Sequence, residues 1–143
     1  MQKQILQGRV VALPRENYVD PKLSTASMTK FVENAIHWLA KKAKVKIASD
    51  QKRPLSKYTQ TVQIVAPKEL AKKTEINVYF VDAFTKFDGE SVTAIQGFVE
   101  KGGGLLIGGH CQMCDTKKPS ELPGNKYVLA FFSADKDSFH LFF

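Results

Sequence analysis

The chain is short of the residues on which many small-domain chemistries depend. Its two cysteines, Cys111 and Cys114, are too few for the disulfide framework of a small secreted domain. Its three arginines, Arg9, Arg15 and Arg53, provide no arginine-rich stripe for reading nucleic acid. No stretch approaches the roughly 20 apolar residues needed to span a bilayer, and the N-terminal MQKQILQGR has no apolar core of signal-peptide length. HExxH, GxSxG and GxGxxG are missing, and with them the usual marks of a zinc peptidase, a serine hydrolase and a dinucleotide-binding fold. The expected compartment is therefore the cytosol, and no cofactor is implied.

What remains is enough for one folded domain. A chain of 143 residues can bury a core without metal or disulfide staples. Hydrophobic residues at 43% and charged residues at 24% argue against wholesale disorder. The net charge of +7 would favour attraction to an acidic or phosphate-rich surface. The lysines, however, are scattered through helix ends and loops with no interleaved aromatic platform. A solvated lysine-rich surface is the expectation.

The organising stretch is residues 76–111. Residues 76–81 are β-branched and aromatic, and Asp82 closes them as a strand. Val92, Ile95, Phe98 and Val99 then recur at helical spacing, with Asp88 or Ser91 available as a cap and Glu90 near the positive end of the dipole. Gly102, Gly103 and Gly104 stop that helix. Leu105, Leu106 and Ile107 form an apolar run that suits a strand covered on both faces. The unit is βαβ, and its tip carries Gly108, Gly109, His110, Cys111 and Gln112. In open α/β sheets that edge is where ligands bind, so these five residues form the candidate ligand or partner edge.

Upstream, RVVAL at residues 9–13 reads as the first strand. Met28, Phe31, Val32, Ala35, Ile36, Leu39 and Ala43 then mark one continuous apolar helix face, with Lys41, Lys42 and Lys44 at its end. Trp38 is expected to pack and His37 to be solvated. Residues 45–48 and 61–66 suggest two further strands around a polar connection, and PKELAKK suggests a helical turn opened by Pro67. The loop at residues 15–22 is expected to share one sheet edge with residues 108–114. This alternation predicts an α/β domain with about five mainly parallel strands and helices on both faces, three-layer and flavodoxin-like or class I glutamine amidotransferase-like. Residues 112–126 read as a loop. Residues 127–143 hold five of the ten phenylalanines around a polar turn, which suggests a hairpin.

Three chemistries deserve weighing at the tip. Cys111 and Cys114 form one CxxC, half of a zinc knuckle or a redox pair, and a second ligand pair is missing. Cys111 after a buried strand also resembles a nucleophile elbow, yet Gln112 and Met113 stand where a small residue is needed, and His110 is its immediate neighbour. The triple glycine follows a helix and opens a strand, the reverse of a phosphate cradle. Cys111 is thus a weak catalytic candidate, and Cys111 with Cys114 a weak metal candidate.

The blocks GRVVAL, FVENAIHWLA, INVYFVDAF, FVEKGGGLLIGG and PGNK resemble, in that order, the amidotransferase-like N-terminal domain of the TRP-channel-associated factor family. The resemblance implies an amidotransferase-type fold without its catalytic set, commonly followed by an enhancin- or mucin-binding-type metallopeptidase region. It implies a non-catalytic module that binds a protein partner, a TRP-type cation channel, and affects the channel's delivery to the plasma membrane and its gating. The place would be the cytoplasm, at the inner face of the plasma membrane, with no membrane span and no nucleic acid partner. An accessory domain of such a metallopeptidase is the alternative, and a Cys111-dependent hydrolase a further one. On this resemblance residues 1–126 are the domain, truncated at both ends relative to the family, and residues 127–143 lie outside its pattern. Where the family has a Gln-Ala-Trp-like segment, this chain has His110, Cys111 and Gln112.

Overall fold

A computed structural model describes residues 7–41 and 43–109. The strands are β1 (Arg9–Leu13), β2 (Ile47–Ser49), β3 (Gln63–Ile64), β4 (Val78–Asp82) and β5 (Gly104–Gly108). The helices are α1 (Ala26–Leu39) and α2 (Gly89–Glu100), with 3-10 turns at Glu16–Val19 and Pro67–Lys72. All pairings are parallel, in the order β1-β5-β4-β2-β3.

Alternation along each strand divides the core in two. Val11, Leu13, Ile47, Val78, Phe80 and Leu106 point to the face covered by α1. Val10, Ala48, Tyr79, Val81, Leu105 and Ile107 point to the face covered by α2 and the Pro67–Lys72 turn. β4 and β5 lie inside the sheet and are covered on both sides. Residues 78–81 and 104–108 are accordingly buried throughout. The phenol of Tyr79 donates to the carbonyl of Val65, just past β3, at 2.7 Å, which satisfies a buried hydroxyl.

Local chemistry fixes the helix ends. Asp88 caps α2 by accepting from the Ser91 amide at 2.8 Å. Its carboxyl is held at about 2 by the Lys68 ammonium and the Ser91 amide. Lys68 reaches Asp88 at 2.8 Å and Glu90 at 2.9 Å. The far end closes as a Schellman motif: the Gly102 amide donates to Val99 and the Gly103 amide to Phe98. Gly102 takes φ 103°, which glycine adopts without strain. Gly104 serves close approach instead. A Cβ there would lie 2.7 Å from both the Cβ and the carbonyl oxygen of Leu39, so α1 crosses β5 only over a glycine.

α1 departs from the periodic reading. Thr25 caps its start, and the helix ends at Leu39, four residues short of Ala43, because Lys41 turns left-handed at φ 53°. Phe31 fits the spacing but is 41% exposed at the margin of the apolar stripe. Trp38 is 36% exposed, and the Arg9 guanidinium lies over its ring at 4.7 Å and donates to its carbonyl. His37 is exposed, as expected. Among the described residues no helix is long and apolar enough to cross a membrane.

Candidate functional site

The C-terminal edge of the sheet is assembled by register. Leu13, Gly108 and Asp82 are aligned across β1, β5 and β4. Gly108 accepts from the Ala83 amide at 2.7 Å, and the Gly109 amide donates to Leu13. A side chain at Gly109 would meet the Ala83 Cβ at 2.4 Å, so the chain leaves β5 pressed against the turn after β4. The Glu16–Val19 turn packs beside β5, which brings the described parts of the two loops expected at this edge together. Of the candidate residues, Gly108 and Gly109 therefore stand at the expected edge. His110, Cys111, Gln112 and Cys114 lie outside the described residues. Among the described residues no three of His, Cys, Asp or Glu converge as a metal site.

A second arrangement at the same edge went unread in the sequence. The chain leaving β2 turns onto the α1 face, where Leu55, Tyr58 and Val62 pack, whereas the chain leaving β4 turns to the other face with Phe87. β2 and β4 are neighbours, so the crevice between their ends is the topological switch point at which open α/β sheets usually take ligands. Here Arg53 spans it. Its guanidinium donates to Asp82 Oδ2 at 2.6 Å, stands 3.7 Å from Asp50 and lies over the Phe80 ring at 5.3 Å. The three charged side chains are only 12–14% exposed. Ser49 ties the same corner by donating to the Phe80 carbonyl at 2.9 Å.

The other oxygen of Asp82 accepts from the amides of Phe84 and Thr85 and from the Thr85 hydroxyl, at 2.8–3.0 Å. Burial pushes this carboxyl up. The bridge to Arg53, the Phe84 amide and the Thr85 hydroxyl outweigh burial and hold it below the ordinary range. The Asp82 carboxylate thus accepts four hydrogen bonds from within the chain, whereas Arg53 Nε is buried without a hydrogen-bond partner among the described residues. Chemically the arrangement is a clasp: it fixes the loop after β2 across the sheet end and places the protein's own guanidinium between the ends of β2 and β4. Asp50 and Arg53 sit in a segment that reads as a polar connection. Only the strand order, which brings the ends of β2 and β4 side by side, could have singled them out.

Residues 4–131 match the family profile described as "TRPM8, N-terminal domain". TRPM8 channel-associated factor 1 of Bos taurus is 30% identical over 125 residues, covering 83% of this chain and 13% of that protein. The TRPM8 channel-associated factor homolog of Danio rerio is 33% identical over 129 residues, again 83% and 13%. TRPM8 channel-associated factor 2 of Homo sapiens is 32% identical over 126 residues, 84% and 13%. The matched region therefore spans 13% of the length of each of these curated relatives. No solved structure matches the chain. The chain belongs to the TRPM8 channel-associated factor family.

Proposed function

We propose that this chain is a non-catalytic, amidotransferase-like binding module that associates with a TRP-type cation channel and regulates its delivery to the plasma membrane and its gating. It would act from the cytoplasm, at the inner face of that membrane, and would need no cofactor. Residues 1–126 would form the module. The candidate partner edge is Gly108, Gly109, His110, Cys111 and Gln112, at the tip of β5.

The observation that supports a binding role over an enzymatic one is the clasp of Asp50, Arg53 and Asp82. It fills the switch-point crevice where a substrate would otherwise sit. The strand order supports the flavodoxin-like part of the reading. Taken from β2, the sequence β3-β2-β4-β5 reproduces the first four places of the order 2-1-3-4-5, and β1 holds the fifth. The switch point falls between the corresponding pair of strands.

The test is co-precipitation of the tagged chain with TRPM8 from cells expressing both, together with surface biotinylation of the channel and whole-cell currents. The expected result is association and altered surface channel, unchanged by Cys111→Ala. Loss of the effect in Cys111→Ala, with the variant still folded, would favour the cysteine as a nucleophile. Absence of association would overturn the channel reading.

A further inference from the structure

We propose that the pole of the domain where the strands begin docks on a bilayer surface rich in anionic phospholipid. This goes beyond the channel reading and does not depend on it. The lysines that look scattered in sequence converge in the fold. All strands are parallel, so every strand start and the end of every helix meet at one pole. Arg9 opens β1, Lys44 and Lys46 precede β2, and Lys41, Lys73 and Lys101 follow α1, the Pro67–Lys72 turn and α2. Contacts hold these segments together. Asn77, just before β4, accepts from the Lys46 amide and donates to the Lys44 carbonyl. The Lys41 ammonium donates to the Gln7 carbonyl and stands 3.2 Å from where a Cβ on Gly102 would be.

Among the described residues, the pole carries Glu75 and Glu100 against these six cations. The Glu75 carboxyl is held below its ordinary value by a backbone amide hydrogen bond first, then by Gln63 and the nearby Lys73 and Lys46. At the opposite pole, Asp20, Asp50, Asp82, Asp88 and Glu90 lie among the cations. Neutralising helix dipoles accounts for a lysine at each helix end. It does not account for Arg9, Lys44 and Lys46, which lie at strand starts.

Two further features select a lipid surface over an acidic protein. A groove of about 500 Å³ is lined by Lys73 and Lys101 together with Leu70, Ile76 and Phe98, which pairs cations with apolar surface. Trp38 is partly exposed at the same pole beside Arg9, and amphipathic indole rings settle at headgroup depth. The lysines are point charges on flexible stems, and the single arginine is already committed to the Trp38 carbonyl. That suits mobile headgroups better than the fixed forks of a peptide carboxylate.

The experiment uses the 143-residue chain with phosphatidylcholine vesicles, pure or containing 30% phosphatidylserine, read by sedimentation and by the emission of Trp38, the single tryptophan. Binding is expected only to the anionic vesicles, with a blue shift of Trp38 and release at high salt. Each lysine near such a surface changes partitioning roughly fivefold, so Lys44→Gln with Lys73→Gln and Lys101→Gln should weaken it on the order of 100-fold. Lys22→Gln with Lys52→Gln and Lys86→Gln removes the same charge from the other pole and should leave binding within a few fold. Equal weakening of both variants, absence of anionic preference, or binding without a Trp38 shift would overturn the proposal. So would displacement by soluble poly-glutamate at stoichiometric concentration, which would assign the pole to an acidic protein.

Discussion

Replacing Arg53 with Met removes the cation of the clasp while keeping most of its apolar stem. Asp82 Oδ2 then loses its donor at 2.6 Å and Asp50 its nearest cation, with all three side chains only 12–14% exposed. Removing one partner of a buried pair costs about 3–5 kcal/mol, because the remaining charge is left desolvated. The three donors on Asp82 Oδ1 survive and keep that charge partly solvated, so the cost falls to or below the bottom of that range, and about 2–3 kcal/mol is expected at pH 7. For a chain of this size that corresponds to a fall in Tm of roughly 6–12 °C.

The pH dependence tests the cause. In the wild-type protein the Asp82 carboxyl lies below its unfolded value of about 3.9, so its contribution is complete above that pH. It is lost as the pH falls through the depressed native value. In Arg53→Met the largest lowering influence is gone, so the carboxyl rises from its wild-type value. A carboxyl that titrates higher than in the wild type accounts for a deficit at neutral pH that diminishes as the variant's carboxyl is protonated. The deficit of the variant should therefore shrink between pH 7 and pH 3.5, measured as urea unfolding followed by circular dichroism. Adding Asp82→Asn should recover part of the loss. A variant within 0.5 kcal/mol of wild type at pH 7, or a deficit constant across that range, would refute the clasp as a stabilising ion pair.

Gly104→Ala should destabilise the domain by about 1–3 kcal/mol in the same assay, since its Cβ would sit 2.7 Å from the Leu39 backbone and α1 must move. Tyr79→Phe leaves the Val65 carbonyl without its 2.7 Å donor in a fully buried site, for a loss of about 1–2 kcal/mol with the fold retained by circular dichroism. The Asp88 carboxyl should titrate by NMR with a midpoint of about 2, and Lys68→Gln should move that midpoint up towards the ordinary range. An unmoved midpoint would deny the Lys68 bridge.

Much of the fold was legible because its signals are local. RVVAL became β1 at the expected bounds, and the cap at Asp88 and the glycine stop placed α2 within a residue or two. What failed was at the margins of periodicity. Nothing in residues 28–43 announces that Lys41 will turn left-handed, and the spacing that makes Phe31 apolar-facing leaves it on the rim of the stripe. Val45, expected within β2, is buried but precedes a strand that begins at Ile47. The clasp was illegible for a different reason. Arg53 and Asp82 are 29 residues apart, and their contact depends on β4 being laid beside β2 after β3 has been placed outside it.

The same topology explains why the two poles differ in kind. A parallel sheet with helices on both faces sends all strand ends and helix starts to one pole, so caps and acids such as Thr25, Asp88 and Glu90 accumulate there. The crevice that this geometry opens between β2 and β4 is closed by Arg53, and Gly109 is packed onto Ala83 beside it. Among the described residues the clasp involves neither the tip of β5 nor the cationic pole opposite, the two surfaces proposed above for partners. Opening the crevice should then cost stability, as Arg53→Met tests, without weakening either outer surface.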